Sequence, residues 1–332
     1  MAIELKKLDL EDLDIDSKAF ANENDQYGRL GLVDFYGVLY PDGTDKKPIW
    51  FIRHCNPDKT RFAGVMEPSD DVFGLQTPLH LDDMAQKDDE IVPYGRVDEQ
   101  CFGMSCKEPY FEYRYYEDHA VLKESDVFDL HAKYYPQTIY KHADSSTFIS
   151  QITQPCELSG TYEGKPVTGL GNFELCYFPK NDHRDLNDYA AYIYSWCNGI
   201  RKDGRREFMM VYINLNGKGT GYYYLEGEEP VFCEQVNMET KWYELPYMKD
   251  GTCTYKDAVF SFAGKKIHFK GKWGYKGLTA YPRVELNGQS QNMGTFYEGD
   301  EEYEHAVSIT FNENMQVTRE NLEKMGFEVE KV

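Results

Sequence analysis

Apolar and polar residues alternate with a period of two along most of the chain, which is the pattern of half-buried β-strands. Within residues 110–118, for example, Phe111, Tyr113 and Tyr115 alternate with Glu112 and Arg114. About twenty such short runs follow one another, with turn residues every 8–12 positions, as in antiparallel sandwiches and barrels. The pattern therefore predicts an all-β protein.

Two terminal segments depart from this alternation and predict short helices. Residues 4–13 carry apolar side chains at positions 5, 8, 10 and 13. Near the other end, Thr318 precedes Glu320 in the manner of a helix cap, and Gly326 follows as a stop signal.

The length of 332 residues exceeds that of one small sandwich and predicts two β domains, at residues 1–154 and 155–332. Residues 158–178 would then lie near the middle of the molecule, as a hairpin and a strand interrupted by glycines. Residues 67–98 are rich in Pro, Asp and Gln and lack a clear period. A loop of that length is usually functional, and it could cover the mouth of a pocket.

The net charge of the chain argues against some classes of binding partner. The chain has 36 basic and 57 acidic residues, with a formal net charge of -21. Such a field repels phosphate backbones and anionic headgroups, so we expect neither nucleic acid nor a membrane surface as a partner. The N-terminal segment lacks the apolar core of a signal peptide, and no run of 18 apolar residues occurs, which predicts a cytoplasmic protein. Nothing in the sequence predicts the oligomeric state.

Known cofactor and metal motifs are absent. None of the 8 cysteines has CxxC spacing, and we expect most of them to be buried as small apolar residues. Nucleotide-binding loops, the dinucleotide fingerprint and the metalloprotease helix motif are also missing, so no cofactor is predicted. Two acidic clusters with a histidine, at residues 80–83 and 181–185, lack regular ligand spacing and are interpreted as solvated loops, so no metal is predicted.

Glu174 is the first candidate for a catalytic group. Strand alternation places it on one face with Asn172 and Cys176, while Phe173 and Leu175 fall on the other. If the polar face looked into a barrel, desolvation would raise the pKa of Glu174 toward the range useful for a general acid. A solvated, outward-facing glutamate is the alternative.

His54 is the second catalytic candidate, and it alternates with Ile52 and Trp50 along its strand. A histidine and a carboxylate with separated pKa values could share a proton transfer. A structural histidine is the competing interpretation.

Aromatic side chains supply candidate ligand contacts. Tyr192, Tyr194 and Trp196 fall on one side of a strand and either line a pocket or form ordinary core. Farther along, Ile267, Phe269 and Trp273 are predicted to share one face of another strand. The residues predicted to bind ligand are Trp50, Asn172, Tyr192, Tyr194, Trp196 and Trp273.

Residues 158–177 resemble the central segment of the carotenoid 1,2-hydratase-like, double lipocalin-like proteins, a grouping that includes kievitone hydratase and fungal Diels–Alderases. The resemblance is carried by Ser159-Gly160-Thr161, Gly164-Lys165-Pro166-Val167, Gly169-Leu170-Gly171 and Asn172-Phe173-Glu174. Residues 32–43, LVDFYGVLYPDG, also resemble the first aromatic strand of that family and its turn. The family's His-Asp pair corresponds here to Phe173-Glu174.

The resemblance implies two lipocalin-like antiparallel β units packed together. It also implies cofactor-free hydration, isomerisation or cyclisation of an isoprenoid-like or polyketide-like molecule. Glu174 would then deliver or remove the proton with His54 as its partner, and the aromatic residues would shape the cavity and stabilise cationic character. Two alternatives remain open: a non-catalytic protein that binds a lipid-like ligand, and a carbohydrate-binding or glycan-cleaving protein.

Overall fold

The structure, a computed structural model, describes the following residues: 3–14, 27–41, 43–44, 46–55, 59–75, 85–87, 90–142, 150–179, 192–214, 218–248, 251–274, 290–315 and 317–332. The chain divides into two compact units. Unit 1 comprises Met1–Glu67, Met84–Asp144 and Phe148–Arg184, and unit 2 comprises Pro68–Asp83, Ser145–Thr147 and Asp185–Val332. The prediction of an all-β protein is confirmed.

Unit 1 contains one antiparallel sheet. Its strands are β1 (Ile3–Lys6), β2 (Tyr27–Tyr40), β3 (Ile49–Cys55), β4 (Thr60–Met66), β5 (Ala85–Lys87), β6 (Val92–Arg96), β7 (Phe102–Lys107), β8 (Tyr110–Tyr115), β9 (His119–Glu124), β10 (Phe128–Tyr134), β11 (Thr138–Lys141), β12 (Ser150–Tyr162) and β13 (Lys165–Pro179). The main path runs β5-β4-β3-β2-β13-β12-β10-β9-β8-β7-β6, and β11 pairs with β1 and β12.

This sheet curls around its own core. Arg53 on β3 and Glu124 on β9 lie five strand spacings apart along the sheet, about 24 Å if the sheet were flat. Yet Arg53 Nη2 lies 2.7 Å from Glu124 Oε2. The concave face therefore encloses the apolar core, which includes Phe51, Phe128 and Phe173.

The β12–β13 hairpin forms the middle of this sheet, and β2 pairs with the far side of β13. Close approach of β2 and β13 explains the glycine pattern. A Cβ atom on Gly169 would lie 2.1 Å from the Val38 carbonyl oxygen, and one on Gly37 would lie 2.4 Å from that of Leu170. These positions accept only glycine without a backbone shift.

Unit 2 contains a second sheet. Its strands are β14 (Tyr192–Arg201), β15 (Arg206–Asn214), β16 (Gly219–Leu225), β17 (Val231–Cys233), β18 (Asn237–Glu244), β19 (Cys253–Phe262), β20 (Lys265–Gly274), β21 (Ser290–Glu298), β22 (His305–Met315) and β23 (Val329–Lys331). The order is β17-β16-β15-β14-β22-β21-β20-β19-β18-β23, antiparallel except for β18 with β23.

The second sheet also curls. Lys265 Nζ on β20 lies 4.5 Å from the ring centroid of Tyr223 on β16, although four strands separate β20 from β16 along the sheet. The concave face holds the core of unit 2, to which Tyr223, Trp242 and Phe269 belong.

The helices at the two ends differ in how far they follow the prediction. Helix α1 (Arg319–Lys324) forms as expected, with the Thr318 side chain accepting from the Asn321 amide. At the N-terminus only Leu10–Leu13 turns, as a 3-10 helix. Residues Ile3–Lys6 are a strand instead, because their backbone pairs with β11 across a long sequence separation.

The predicted domain boundary after residue 154 falls inside β12. Residues 158–178 pair with β10 and β2 in the first sheet, and the chain enters the second sheet only at β14. Part of the predicted loop at 67–98 lies outside the described residues. In the part that is described, β6 pairs with β7, and Ser69 forms an isolated bridge with Gly274. Among the residues described, no helix is long and apolar enough to cross a membrane.

Candidate active site

Strand β13 carries the first candidate, Glu174, on the face turned away from the core of unit 1. Phe173 and Leu175 point into that core, so Asn172, Glu174 and Cys176 occupy the opposite face, as the alternation predicted. Glu174 is nevertheless only 3 % exposed, which excludes the solvated alternative for this residue. Both faces of the sheet are thus buried at this point.

Four side chains donate hydrogen bonds to the Glu174 carboxylate. Tyr36 Oη lies 2.5 Å from Oε1, Asn172 Nδ2 lies 3.0 Å from Oε1, and Gln151 Nε2 lies 2.5 Å from Oε2. A longer bond of 3.4 Å comes from Thr153. Asn172 Nδ2 also lies 3.2 Å from Tyr36 Oη, so Asn172, Tyr36 and Glu174 form one connected network. The network fixes the carboxylate in position.

His54 shares a row with Glu174, and a second carboxylate lies between them. Asp34 on β2 is the register partner of both Glu174 on β13 and His54 on β3. His54 Nδ1 lies 2.7 Å from Asp34 Oδ1, and both residues are buried. Two strand spacings, about 10 Å, separate Glu174 from His54. Asp34 therefore lies between the two predicted catalytic residues.

Asp34 was missed in the sequence analysis. A usable signal was present, because Asp34 is the one charged residue within the otherwise apolar and aromatic run LGLVDFYGVLY. A charge in the middle of a buried strand needs a partner and so indicates a site.

One group of residues in the described part of the chain could hold a metal ion. Donor atoms of Asp34, Glu174 and Cys176 lie within 4.8 Å of one another. The two loop clusters discussed above, at 80–83 and 181–185, lie outside the described residues.

Trp50 lies on the same strand as His54 and on the same face, about 13 Å away along β3. Its register partner is Val38 on β2, and it is fully buried. Of the eight predicted site residues, unit 1 holds Trp50, His54, Asn172 and Glu174.

Unit 2 holds the other four predicted residues, Tyr192, Tyr194, Trp196 and Trp273. On β14 the first three lie opposite the core residues Ile193 and Cys197. Tyr194 stacks on Tyr212 with ring centroids 4.5 Å apart. These tyrosines and Trp196 therefore form a face distinct from the core of unit 2.

A row of apolar side chains crosses this face from strand to strand. Register pairs connect, in order, Trp273, Met293, Phe311, Trp196, Met210 and Tyr222. The expected grouping of Trp273 with Ile267 and Phe269 is wrong, because a bulge between Gly271 and Trp273 reverses the faces. The two tryptophans consequently share one row, which local alternation could not show.

Each core also contains a buried carboxylate held by arginine, and the sequence analysis missed both. Arg53 Nε and Nη2 both donate hydrogen bonds to the Glu124 carboxylate. Arg61 and Tyr113 donate further hydrogen bonds to the same carboxylate. In unit 2, Arg201 Nε and Nη2 each donate a hydrogen bond of 2.8 Å to the Glu207 carboxylate. No short sequence motif predicts such pairs, since the two residues of each pair lie on different strands.

The environment of Glu207 has a clear electrostatic effect. Burial alone would raise the pKa of its carboxyl group, but hydrogen bonds from Arg201, His305 and Tyr223 outweigh burial and lower the pKa to about 2. Glu207 is therefore a permanently charged structural group at neutral pH.

Comparison with solved structures supports the fold. A Nitrosomonas europaea protein provisionally described as AttH matches with a TM-score of 0.53 at 13% identity, covering 91% of this chain and 96% of that one. Kievitone hydratase from Nectria haematococca matches at a TM-score of 0.42 and 9% identity, covering 87% of this chain and 90% of its own. CghA matches at 0.42 and 11% identity, covering 96% and 99%.

The likeness concerns the fold alone. The chain has an all-β fold with two curled sheets. No protein-family model matches the chain, and a search of curated proteins finds no relative. At these identities the solved structures assign neither a reaction nor a substrate.

Proposed function

We propose that this protein binds a small hydrophobic or amphipathic organic molecule and catalyses a cofactor-free proton transfer on it, as in hydration, isomerisation or cyclisation. The observation that carries the proposal is the buried row of Glu174, Asp34 and His54 across three adjacent strands. Buried titratable groups in specific contact with one another are more frequent at functional sites than elsewhere.

Each member of the row has a distinct part in the proposed chemistry. Glu174 gives or takes the proton, since a positioned carboxylic acid can act as either general acid or general base. Tyr36 and Asn172 hold the Glu174 carboxylate in place through the hydrogen bonds described above. Asp34 contacts the His54 ring at Nδ1 and so orients the imidazole, as carboxylates do in other proton-transfer sites.

The residues predicted to contact ligand are proposed as ligand contacts for each unit by itself. In unit 1 these are Trp50 and Asn172. In unit 2 they are Tyr192, Tyr194, Trp196 and Trp273, whose apolar face suits a molecule with a large hydrocarbon body. Aromatic ring faces of this kind also stabilise cationic charge.

The test begins with native mass spectrometry of the purified protein before and after organic extraction. The extracted compound is identified and offered to the wild type and to the variant Glu174→Gln. We expect the variant to keep the ligand and lose about 100-fold or more in kcat, the usual contribution of a general acid or base. Glu112→Gln, which changes a half-exposed carboxylate of the same unit, serves as the control and should retain full activity.

Other outcomes separate the alternatives. A ligand that binds the wild type but is never converted would identify a non-catalytic binding protein. Full turnover by Glu174→Gln would rule out the proposed role of Glu174. If extraction yields no adduct, a glycan array tests the carbohydrate alternative.

A further inference from the structure

Residues 68–75, named here the lid segment, pack against the second sheet. They belong to unit 2, although the strand before them, β4, and the strand after them, β5, both belong to unit 1. Ser69 and Gly274 form an antiparallel bridge, in which Ser69 N lies 2.8 Å from Gly274 O and Gly274 N lies 3.3 Å from Ser69 O. The first part of the loop predicted at 67–98 is therefore docked on a strand.

The bridge continues the sheet at the point where β19 stops pairing with β20. These two strands pair as far as Asp257 and Lys270. Farther along β20, Gly274 pairs with Asn292 of β21 on the other side. Ser69 therefore lies on the β19 side of β20, in the position that a further residue of β19 would occupy.

The lid segment lies against the core face of this sheet. Directly paired residues of antiparallel strands share a face. One register row passes through Gly271, Gly294, Thr310 and Cys197. Cys197 belongs to the core of unit 2, so Gly271 faces the same side. A segment that packs on Gly271 therefore covers the concave face at the end of β20.

Two glycines of β20 form the seat of the lid segment. A Cβ atom on Gly271 would lie 2.5 Å from Val72 Cγ2, and one on Gly274 would lie 2.3 Å from the Val72 carbonyl oxygen. Only glycine allows such a close approach of another segment. Val72 is 7 % exposed and is the buried anchor of the lid segment.

Local hydrogen bonds fix the shape of the lid segment. The Asp71 carboxylate accepts from the Phe73 amide at 3.0 Å and from the Leu75 amide at 2.9 Å. Gly74 has a φ of 67°, a left-handed conformation that favours glycine. Because these features lie within five consecutive residues, the turn does not depend on contact with the sheet.

Two tyrosines hold the outer part of the lid segment. The rings of Phe73 and Tyr243 lie 5.1 Å apart between centroids. Tyr247 Oη donates to the Phe73 carbonyl oxygen at 2.9 Å. Burial raises the pKa of Tyr247, and the negative charge of Asp71 adds to the effect, so this hydroxyl keeps its proton and remains a donor.

The attachment to the sheet is small compared with that of a strand. β20 forms six register pairs with β19. In the described part of the chain, the lid segment forms one isolated bridge. Leu75, at its end, is exposed. Segments with few paired backbone groups and few buried apolar side chains open at a lower free energy than the sheet that carries them.

We propose that residues 68–75 form a lid that opens and closes over the concave face of unit 2 at the end of β20, while the sheet beneath it stays folded. Opening breaks the Ser69–Gly274 bridge and withdraws Val72 from its seat, and the turn around Asp71 moves as one piece. The lid uses none of the residues assigned to proton transfer or to ligand contact. It therefore stands or falls separately from the proposed function.

The test measures how fast iodoacetamide, a neutral reagent, alkylates a thiol placed in the lid segment. Val72→Cys is made in the full-length protein together with Cys233→Ser, and peptide mapping locates the alkylated residue. Each rate is divided by the rate of the same thiol in the urea-unfolded protein. We expect the thiol of Val72→Cys to react at least about tenfold faster than the fully buried Cys253 of β19.

The urea dependence distinguishes local opening from unfolding of unit 2. Below the unfolding transition, the rate for Val72→Cys should change little with urea, because local opening exposes little surface. The rate for Cys253 should rise steeply, because its exposure requires the sheet to unfold.

Further variants, added to Val72→Cys, test the attachments of the lid. Tyr247→Phe removes the hydrogen bond to the Phe73 carbonyl and should speed alkylation about threefold or more. Asp71→Ala removes the two bonds that shape the turn and should speed it about tenfold. Tyr243→Phe is the matched control, since it keeps the ring that contacts Phe73 and should leave the rate unchanged.

Hydrogen exchange in the unsubstituted protein makes the test independent of these variants. The Ser69 amide should exchange faster, and with less urea dependence, than the β20 amides at residues 265–270. Exchange of the Ser69 amide only through global unfolding would overturn the proposal. Equal rates and equal urea dependence for Val72→Cys and Cys253 would overturn it as well, and so would unaltered alkylation in both Tyr247→Phe and Asp71→Ala.

Discussion

Asp34 and Glu174 lie directly opposite each other on β2 and β13, with carboxylate oxygens within 4.8 Å. Two carboxyl groups so close inside a sheet need compensating contacts, because a buried polar group without a partner costs free energy. The hydrogen bonds around Glu174 and the contact of Asp34 with His54 offset this cost. The close packing of these carboxyl groups should make the row of Glu174, Asp34 and His54 sensitive to substitution of any one of the three residues.

The contact between Asp34 and His54 should show strong energetic coupling. Replacing either residue, by Asp34→Asn or His54→Gln, removes the direct contact between the two buried side chains. A double-mutant cycle, measured by urea unfolding, should give a coupling of about 0.5–3 kcal/mol.

The exposed pair Asp118 and His119 is the matched control, with a distance of 2.6 Å and side chains 76% and 44% exposed. Solvent screening should hold its coupling below about 1 kcal/mol. Equal coupling energies for the two pairs would contradict the structural account of the row.

Substitution of Gly169 should disturb the pairing that carries the candidate site. In Gly169→Ala the new Cβ would lie 2.1 Å from a backbone oxygen of β2, so β2 and β13 must move apart. In Gly171→Ala the nearest contact is 3.0 Å, which a small shift relieves. At Gly95 an added Cβ would have nothing within 4 Å, and its φ is not in the left-handed range, so Gly95→Ala is the control.

We expect the free energy of unfolding to fall most for Gly169→Ala, less for Gly171→Ala and little for Gly95→Ala. Hydrogen exchange should show the loss of protection in β2 and β13 for Gly169→Ala first. An order that places Gly95→Ala among the damaging changes would refute the close-approach explanation.

Local pattern predicted what depends on neighbouring residues. Alternation correctly divided Glu174 from Phe173 and Trp196 from Cys197, because a strand reverses its side chains at every residue. The Thr318 cap is likewise a matter of a few residues. These features needed no knowledge of the rest of the chain.

Register and strand partners were beyond the reach of that pattern. The meeting of Asp34 with Glu174 joins residues 140 positions apart. Pairing of Ile3–Lys6 with β11 converted part of a predicted helix into a strand. A single bulge before Trp273 reversed its face. Each depends on which strands pair and in which register, and this is a property of the whole sheet.

Thiol reactivity should follow burial. All eight cysteines are free, and seven are buried, with Cys233 half-buried at the edge of the second sheet. Burial also raises the pKa of Cys156 and of Cys197, which lowers their thiolate populations. In the native protein a disulfide reagent should modify one thiol quickly, and Cys233→Ser should remove that fast phase. Rapid modification of two or more thiols would contradict the packing described.

The Glu207 cluster should contribute a specific part of the acid sensitivity of unit 2. Its pKa is about 2 in the folded protein, below the ordinary value of 4.5. The folded state therefore holds the charged form more strongly than the unfolded state does. The stabilisation is fully present above about pH 4.5 and is lost as the pH falls through 2.

A shift of this size corresponds to about 3 kcal/mol. In Glu207→Gln we expect that amount to be missing at pH 7, and the variant should show a shallower decline of unfolding free energy between pH 5 and 2. Urea unfolding of unit 2, monitored through hydrogen exchange of the β14–β16 amides, measures both the loss at pH 7 and the pH dependence of the unfolding free energy. Glu304→Gln alters an exposed neighbour paired with Lys202, and its pH profile should follow the wild type. If Glu207→Gln kept the full acid slope, the pKa of Glu207 would have to be ordinary and its hydrogen-bond cluster energetically neutral.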